Sequence, residues 1–149
     1  MARAIQLSIE NVQSGGGPFG AVVVKGGIVI GEAANQVTST NDPTAHAEVV
    51  AIRAACKKLG AFDLEGCEIY TSCEPCPMCL AAIYWARLSR VYFANVDADA
   101  SKIGFDDSVI YREIAKPQAQ RKIPMIQIMR DEALEAFRAW ESKTNKIEY

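Results

Sequence analysis

The sequence predicts a layered α/β/α domain on one mixed sheet, and three features lead to it. Strand-like and helix-like runs alternate along the chain. A glycine pair, Gly26-Gly27, sits between two β-patterned runs as a tight hairpin turn. A stretch of about 25 residues precedes a further apolar run at 123–129, long enough to cross over to a parallel strand.

Each element follows from its residues. Residues 2–14 carry Ile5, Ile9 and Val12 as a helical stripe, which Gly15-Gly16-Gly17-Pro18 ends. Residues 19–25 read as a strand and 28–34 as its hairpin partner. Residues 35–42 are polar and turn-rich. Asp42-Pro43 marks a helix start, the helix runs to about Leu59, and Gly60 closes it. Residues 68–73 form a buried strand, 75–86 a helix with Pro75 in its first position, and 90–95 another strand. Loop and short helix fill the following stretch before the strand at 123–129. The last helix spans about 131–143.

Composition bounds the function classes. A chain of 149 residues forms one domain able to bury about 70% of its unfolded surface. Half the residues are hydrophobic and 23% charged, an ordinary globular mixture. No apolar run approaches the roughly 18 residues of a membrane span. The N-terminus lacks the charged-then-apolar pattern of a signal peptide, so a cytoplasmic location is expected. A net charge of −2 argues against nucleic acid as the main partner. The cysteines cluster in a way that reads, in a cytosolic setting, as metal binding rather than a disulfide framework.

The chemistry concentrates in Thr71-Ser72-Cys73-Glu74-Pro75-Cys76-Pro77-Met78-Cys79 and in Ala45-His46-Ala47-Glu48. Cys76 and Cys79 fall on one face of a first helical turn. Two thiolates and an imidazole are a strong zinc set, and three protein ligands leave a fourth position open. His46 and Glu48 are two residues apart, which on a regular helix points them to nearly opposite sides. They converge only on something beyond the helix end, which places the metal off the N-termini of both helices. Those ends carry partial positive charge that favours thiolates. The competing reading is a closed structural site in which Cys73 supplies a fourth ligand. Cys73 precedes Pro75 at the strand end, off the helical face that joins the other two, and a structural site has no use for Glu48. Zn²⁺ with two thiolates and a neutral imidazole has a formal charge of zero, so it needs a neighbouring base. Glu48 is the candidate proton shuttle. Cys56, Cys67 and Cys73 read as small buried residues.

The pairing of H-x-E with P-C-x-x-C is the signature of zinc nucleobase deaminases. Over nearly its whole length the chain resembles the cytidine/deoxycytidylate deaminase superfamily, and within it the bacterial guanine deaminases. The resemblance rests on Gly16-Gly17-Pro18-Phe19-Gly20-Ala21-Val22, Asn41-Asp42-Pro43-Thr44-Ala45-His46-Ala47-Glu48, the segment from Tyr70 to Cys79, Ala82-Ile83-Tyr84-Trp85-Ala86, Gly104-Phe105-Asp106-Asp107-Ser108 and Glu148-Tyr149. It implies a five-stranded mixed sheet. It also implies zinc held by His46, Cys76 and Cys79, with Glu48 moving protons as free guanine is hydrolysed to xanthine. Asn35 on its own suits turn chemistry; the family pattern makes it a contact to the purine edge. Phe19 stacks on the base or packs the core, and Trp85 lines the pocket or packs its helix. Asp107 is a substrate-facing acid or a helix cap, a role Asp106 could fill instead. The resemblance further implies a homodimer that exchanges C-terminal segments, with Tyr149 closing the partner's site. The rival is a tRNA adenosine deaminase, which shares the zinc motif but must hold phosphates. A catalytically silent zinc scaffold is a more remote option.

Overall fold

The structure, a computed structural model, describes residues 1–148. It divides into two compact units, one of residues 1–107 and one from Ser108 onward. In the first unit, helix α1 (Ala2–Gln13) leads into strands β1 (Gly20–Lys25) and β2 (Ile28–Ala34). The turn between them has Gly26 and Gly27 at φ +55° and +80°, the positive pair a type I′ hairpin requires. β1 also pairs antiparallel with β3 (Cys67–Cys73), and β3 lies parallel to β4 (Arg90–Asn95). The order is β2-β1-β3-β4. Ile30 is an extra residue opposite β1, because Val29 and Gly31 pair with the adjacent Val24 and Val23.

Helices cover both faces. Ala21 and Val23 of β1, Ile30 and Ala33 of β2 and Ile69 of β3 point into one core. There they meet Ala47, Ala51, Ile52 and Ala55 of α3 (Ala47–Leu59) and Ile83 of α4 (Pro77–Trp85). α1 packs on the opposite face, where Gly20 admits its backbone. Two short helices, α2 (Val37–Thr40) and α5 (Asp97–Lys102), complete the unit. The second unit holds α6 (Ser108–Ala115), a 3₁₀ turn (Gln118–Gln120) and α7 (Arg130–Ser142).

Four details depart from the sequence reading, each for a physical reason. The buried positions of α1 are Ala4 and Ser8, whereas Ile5, Ile9 and Val12 face outward. A helix lying this close to a sheet needs small residues at the contact. Asp42-Pro43 does not start α3. Asp42 Oδ1 accepts the N–H and hydroxyl of Thr44 at 2.8 and 2.7 Å, which closes a turn. α3 begins at Ala47, with His46 extended as its N-cap. Likewise Pro77, not Pro75, opens α4, because a residue before proline is pushed out of the helical region and Cys76 is therefore extended. Finally, the described sheet has four strands. Residues 123–129 join no ladder; Pro124 withholds a donor, and Ile123, Ile126 and Ile128 are exposed.

Gly31 gives this packing a direct test. A Cβ there would lie 2.5 Å from Ala51 O and 2.7 Å from Ala55 N, both backbone atoms of α3. Gly31→Ala is expected to lower the unfolding free energy by about 1–3 kcal/mol, read as a lower urea midpoint at unchanged slope. An unchanged midpoint would show that α3 does not sit this close.

Candidate active site

Two helix N-termini meet beyond the C-terminal end of β3. His46 is the N-cap of α3 and Cys76 the N-cap of α4, with Cys79 in the first turn of α4. Both caps have extended backbone, φ −66° and ψ 152° at His46, φ −62° and ψ 167° at Cys76. Each side chain is thereby turned off its helix axis toward the other end. His46 Nδ1 lies 3.5 Å from Cys76 Sγ and 3.5 Å from Cys79 Sγ. The three ligand atoms all lie within 4.8 Å of one another, close enough to grip one ion. An imidazole and two thiols are the donor set zinc prefers, so residues and metal fit.

The electrostatics suit a cation. The Cys76 thiol is drawn down to about 4, first by a hydrogen bond from Cys79 and then by His46, against the pull of burial. Cys79 is pushed up because it keeps the proton it shares with Cys76, and burial and Glu48 add to this. The bond to Cys76 likewise raises His46. A bound ion displaces these protons and takes their place among the donors.

Glu48 lies in the first turn of α3 and is 6% exposed. Its Oε2 accepts from Cys79 Sγ at 3.3 Å. Burial raises its pKa, so it gives up its proton less readily than a glutamate in water. Cys73 stands apart from the donor group. It is 4% exposed, its thiol points to Val96 O at 3.9 Å, and burial followed by the Glu48 charge pushes it up to about 11. Among the described residues the metal group contains only His46, Cys76 and Cys79.

The expected base contacts are placed unevenly. Asn35 follows β2, and its Oδ1 accepts the Val37 N–H at 3.1 Å, so the amide does perform turn chemistry. Its Nδ2 has no protein partner among the described residues. Phe19 packs partly on the core and meets Phe105 edge-to-face, with ring centroids 4.9 Å apart. Asp107 lies near enough to Cys76 to feel its charge. Burial first, then the carboxylate of Asp97, pushes Asp107 up to about 6. Its buried Oδ1 accepts no N–H or hydroxyl among the described residues. Asp97 carries no signal in the sequence, because nothing in the local pattern shows that α5 returns to Asp107. Trp85 is not brought to this group. It ends the nine-residue α4, about 13 Å along the axis from Cys76, and is 68% exposed. Tyr149 lies outside the described residues.

Residues 1–95 match the cytidine and deoxycytidylate deaminase zinc-binding region. The chain is 57% identical to the guanine deaminase of Bacillus subtilis, over all of this chain and 96% of that protein. An X-ray structure of guanine deaminase from Bacillus subtilis superposes with a TM-score of 0.96 at 58% identity, covering 99% of this chain and 95% of that one. The tRNA-specific adenosine deaminase of Aquifex aeolicus is 46% identical, over 63% of this chain and 62% of that protein.

The donor group separates an open centre from a closed one. Cys76→Ser is expected to lose most bound zinc on dialysis, whereas Cys73→Ser retains about one zinc per chain by atomic emission. Loss of metal from the Cys73 variant would mean that a fourth thiolate closes the site.

Proposed function

We propose that this chain, which belongs to the cytidine and deoxycytidylate deaminase family, hydrolyses free guanine to xanthine and ammonia. The full-length similarity to a guanine deaminase supports the substrate. The observation that carries the reaction type is Glu48, a buried carboxylate with Oε2 3.3 Å from one sulfur of a three-donor metal group.

His46 Nδ1 and the sulfurs of Cys76 and Cys79 would hold the zinc. When bound, zinc supplies a Lewis acid that makes a water a usable nucleophile at neutral pH. The protein does the rest. Glu48 Oε2 takes one proton of the attacking water as the water oxygen bonds to carbon 2 of guanine. The same carboxyl passes that proton to the adjacent ring nitrogen. It then takes the second proton from the new hydroxyl on carbon 2 and hands it to the amine, which departs as ammonia and leaves the carbonyl of xanthine. Burial suits Glu48 to both tasks, since a desolvated carboxylate accepts a proton readily. Asn35 Nδ2 donates to an acceptor on the purine, Phe19 stacks on its face, and Asp107 accepts from an N–H at its edge. α3 and α4 point their positive ends at the reacting centre.

A free base fits this chain better than a tRNA. A net charge of −2 and the mixed signs of α7, with Asp131 and Glu132 in its first turn, supply no phosphate-binding face. The exposed apolar side chains Ile123, Ile126, Ile128 and Phe137 are surface of the kind a second subunit buries, which supports a homodimer. Exchange of C-terminal segments would bring Tyr149 over the partner's site, and the exposed ring of Trp85 belongs to the subunit surface in this reading. Among the described residues no helix is long and apolar enough to cross a membrane. Five cysteines without a disulfide are the usage of a reducing compartment, which supports a cytoplasmic location.

Glu48→Gln is expected to keep its zinc and lose about 100- to 10 000-fold in kcat for ammonia release from guanine. Turnover near the parent's would remove Glu48 from the proton path. Deleting residues 146–149 should leave a folded, zinc-loaded protein with most guanine activity gone. Full activity in the shortened chain would exclude Tyr149 from the site.

A further inference from the structure

The glycine-rich loop and the start of the polar segment after β2 are tied together by a residue outside the pocket. Asn11 lies seven residues after Ala4 on the sheet-facing side of α1, the side that also carries Ser8. Its Nδ2 donates to Gly17 O at 2.7 Å and to Asn35 O at 2.9 Å, using both amide hydrogens on two carbonyls 18 residues apart in sequence. The backbone closes the same connection from the other direction. Asn35 N donates to Phe19 O at 2.9 Å, and Phe19 N donates to Gly17 O at 2.9 Å. The amide is gripped from a third side, because a Cβ on Gly16 would stand 2.4 Å from Asn11 Nδ2. Only a glycine at 16 leaves the amide room to reach both carbonyls.

We propose that Asn11 is a positioning residue for base recognition, fixing the separation and orientation of Phe19 and Asn35. This rests on the reading that those two side chains contact the substrate base. The physical reason is one of entropy. A loop carrying four glycine or proline residues in succession, 15–18, has many conformations of similar energy when nothing pins it. Two hydrogen bonds from one rigid helix select a single arrangement before the base arrives, so binding does not have to order the loop. Asn11 itself never touches the substrate. Glu48 and the three metal-binding side chains sit on α3 and α4, so losing the tie leaves the chemical step intact while the base is held less well.

The test uses the zinc-loaded, full-length protein and two substitutions that break the tie from opposite sides. Asn11→Ala removes the donor; Gly16→Ala pushes the donor away while leaving it present. Each is expected to raise KM about 10-fold or more with kcat within about threefold of the parent, since the lost bonds act on binding of ground and transition states alike. The double variant should be no worse than Asn11→Ala alone, because without the amide there is nothing for the new methyl to displace. A merely structural role would lower the melting temperature of both variants without this split between KM and kcat or this loss of additivity. KM within twofold of the parent in either folded variant, or fully additive effects in the double, would overturn the proposal. Should Asn11→Ala fail to fold, Gly16→Ala alone decides by the same KM criterion. Guanine turnover by the parent tests the substrate assignment separately; the ratio of variant to parent is read on whichever of guanine, adenine or cytosine the parent deaminates.

Discussion

Everything at the site depends on two helices being stopped at their N-termini by residues that are also ligands. An N-cap must leave helical backbone angles, so its side chain swings off the helix axis into the space before the first turn. His46 and Cys76 both do this, and neither side chain caps its own helix. The N–H groups of the first turns are left aimed at the point where the imidazole and sulfurs converge. A cation neutralises the thiolates there, and the exposed donors and helix dipoles favour whatever negative charge remains. The fold's other features serve this meeting. β3 delivers the chain to Cys76, Ala47 and Ala51 let α3 lie close on the sheet, and Gly31 removes the last obstruction.

The same convergence separates Glu48 from ordinary helix glutamates. Placed two residues after the cap, it points inward with the ligands and loses nearly all contact with water. Desolvation makes its charge costly and its proton hard to lose. Cys73 shows the contrast. It is equally buried at the end of β3, yet faces a carbonyl and the Glu48 charge, and so remains a thiol. Proximity in sequence to two ligands does not make a third; direction relative to the helix end does.

The chemistry was legible in the sequence because its motifs are short. Whatever the wider topology, His46 and Glu48 could share a target only off a helix end, and Cys76-x-x-Cys79 could reach it only from another such end. The hairpin, the three long helices of the first unit and the parallel pair β3 and β4 were legible for the same local reasons. Where the reading went astray, nonlocal contacts or side-chain competition decided. Asp42 spends its carboxylate on Thr44, so a proline that looks like a helix start belongs to a turn. The large apolar residues of α1 look like a core stripe, but close contact with β1 selects Ala4 and Ser8. The run at 123–129 has the composition of a strand without a ladder to join. Asn11 carried no signal at all, since its meaning lies in two carbonyls that the fold brings to it.

Hydrolysis at this site requires an open centre of two sulfurs and one histidine nitrogen, with a solvent position beside Glu48. X-ray absorption at the zinc edge of the purified, substrate-free protein measures this directly. The expected spectrum has two sulfurs at about 2.3 Å and two nitrogen or oxygen neighbours at about 2.0–2.1 Å. Three sulfurs and a single light atom would place Cys73 in the fourth position and reduce the centre to a staple for the fold.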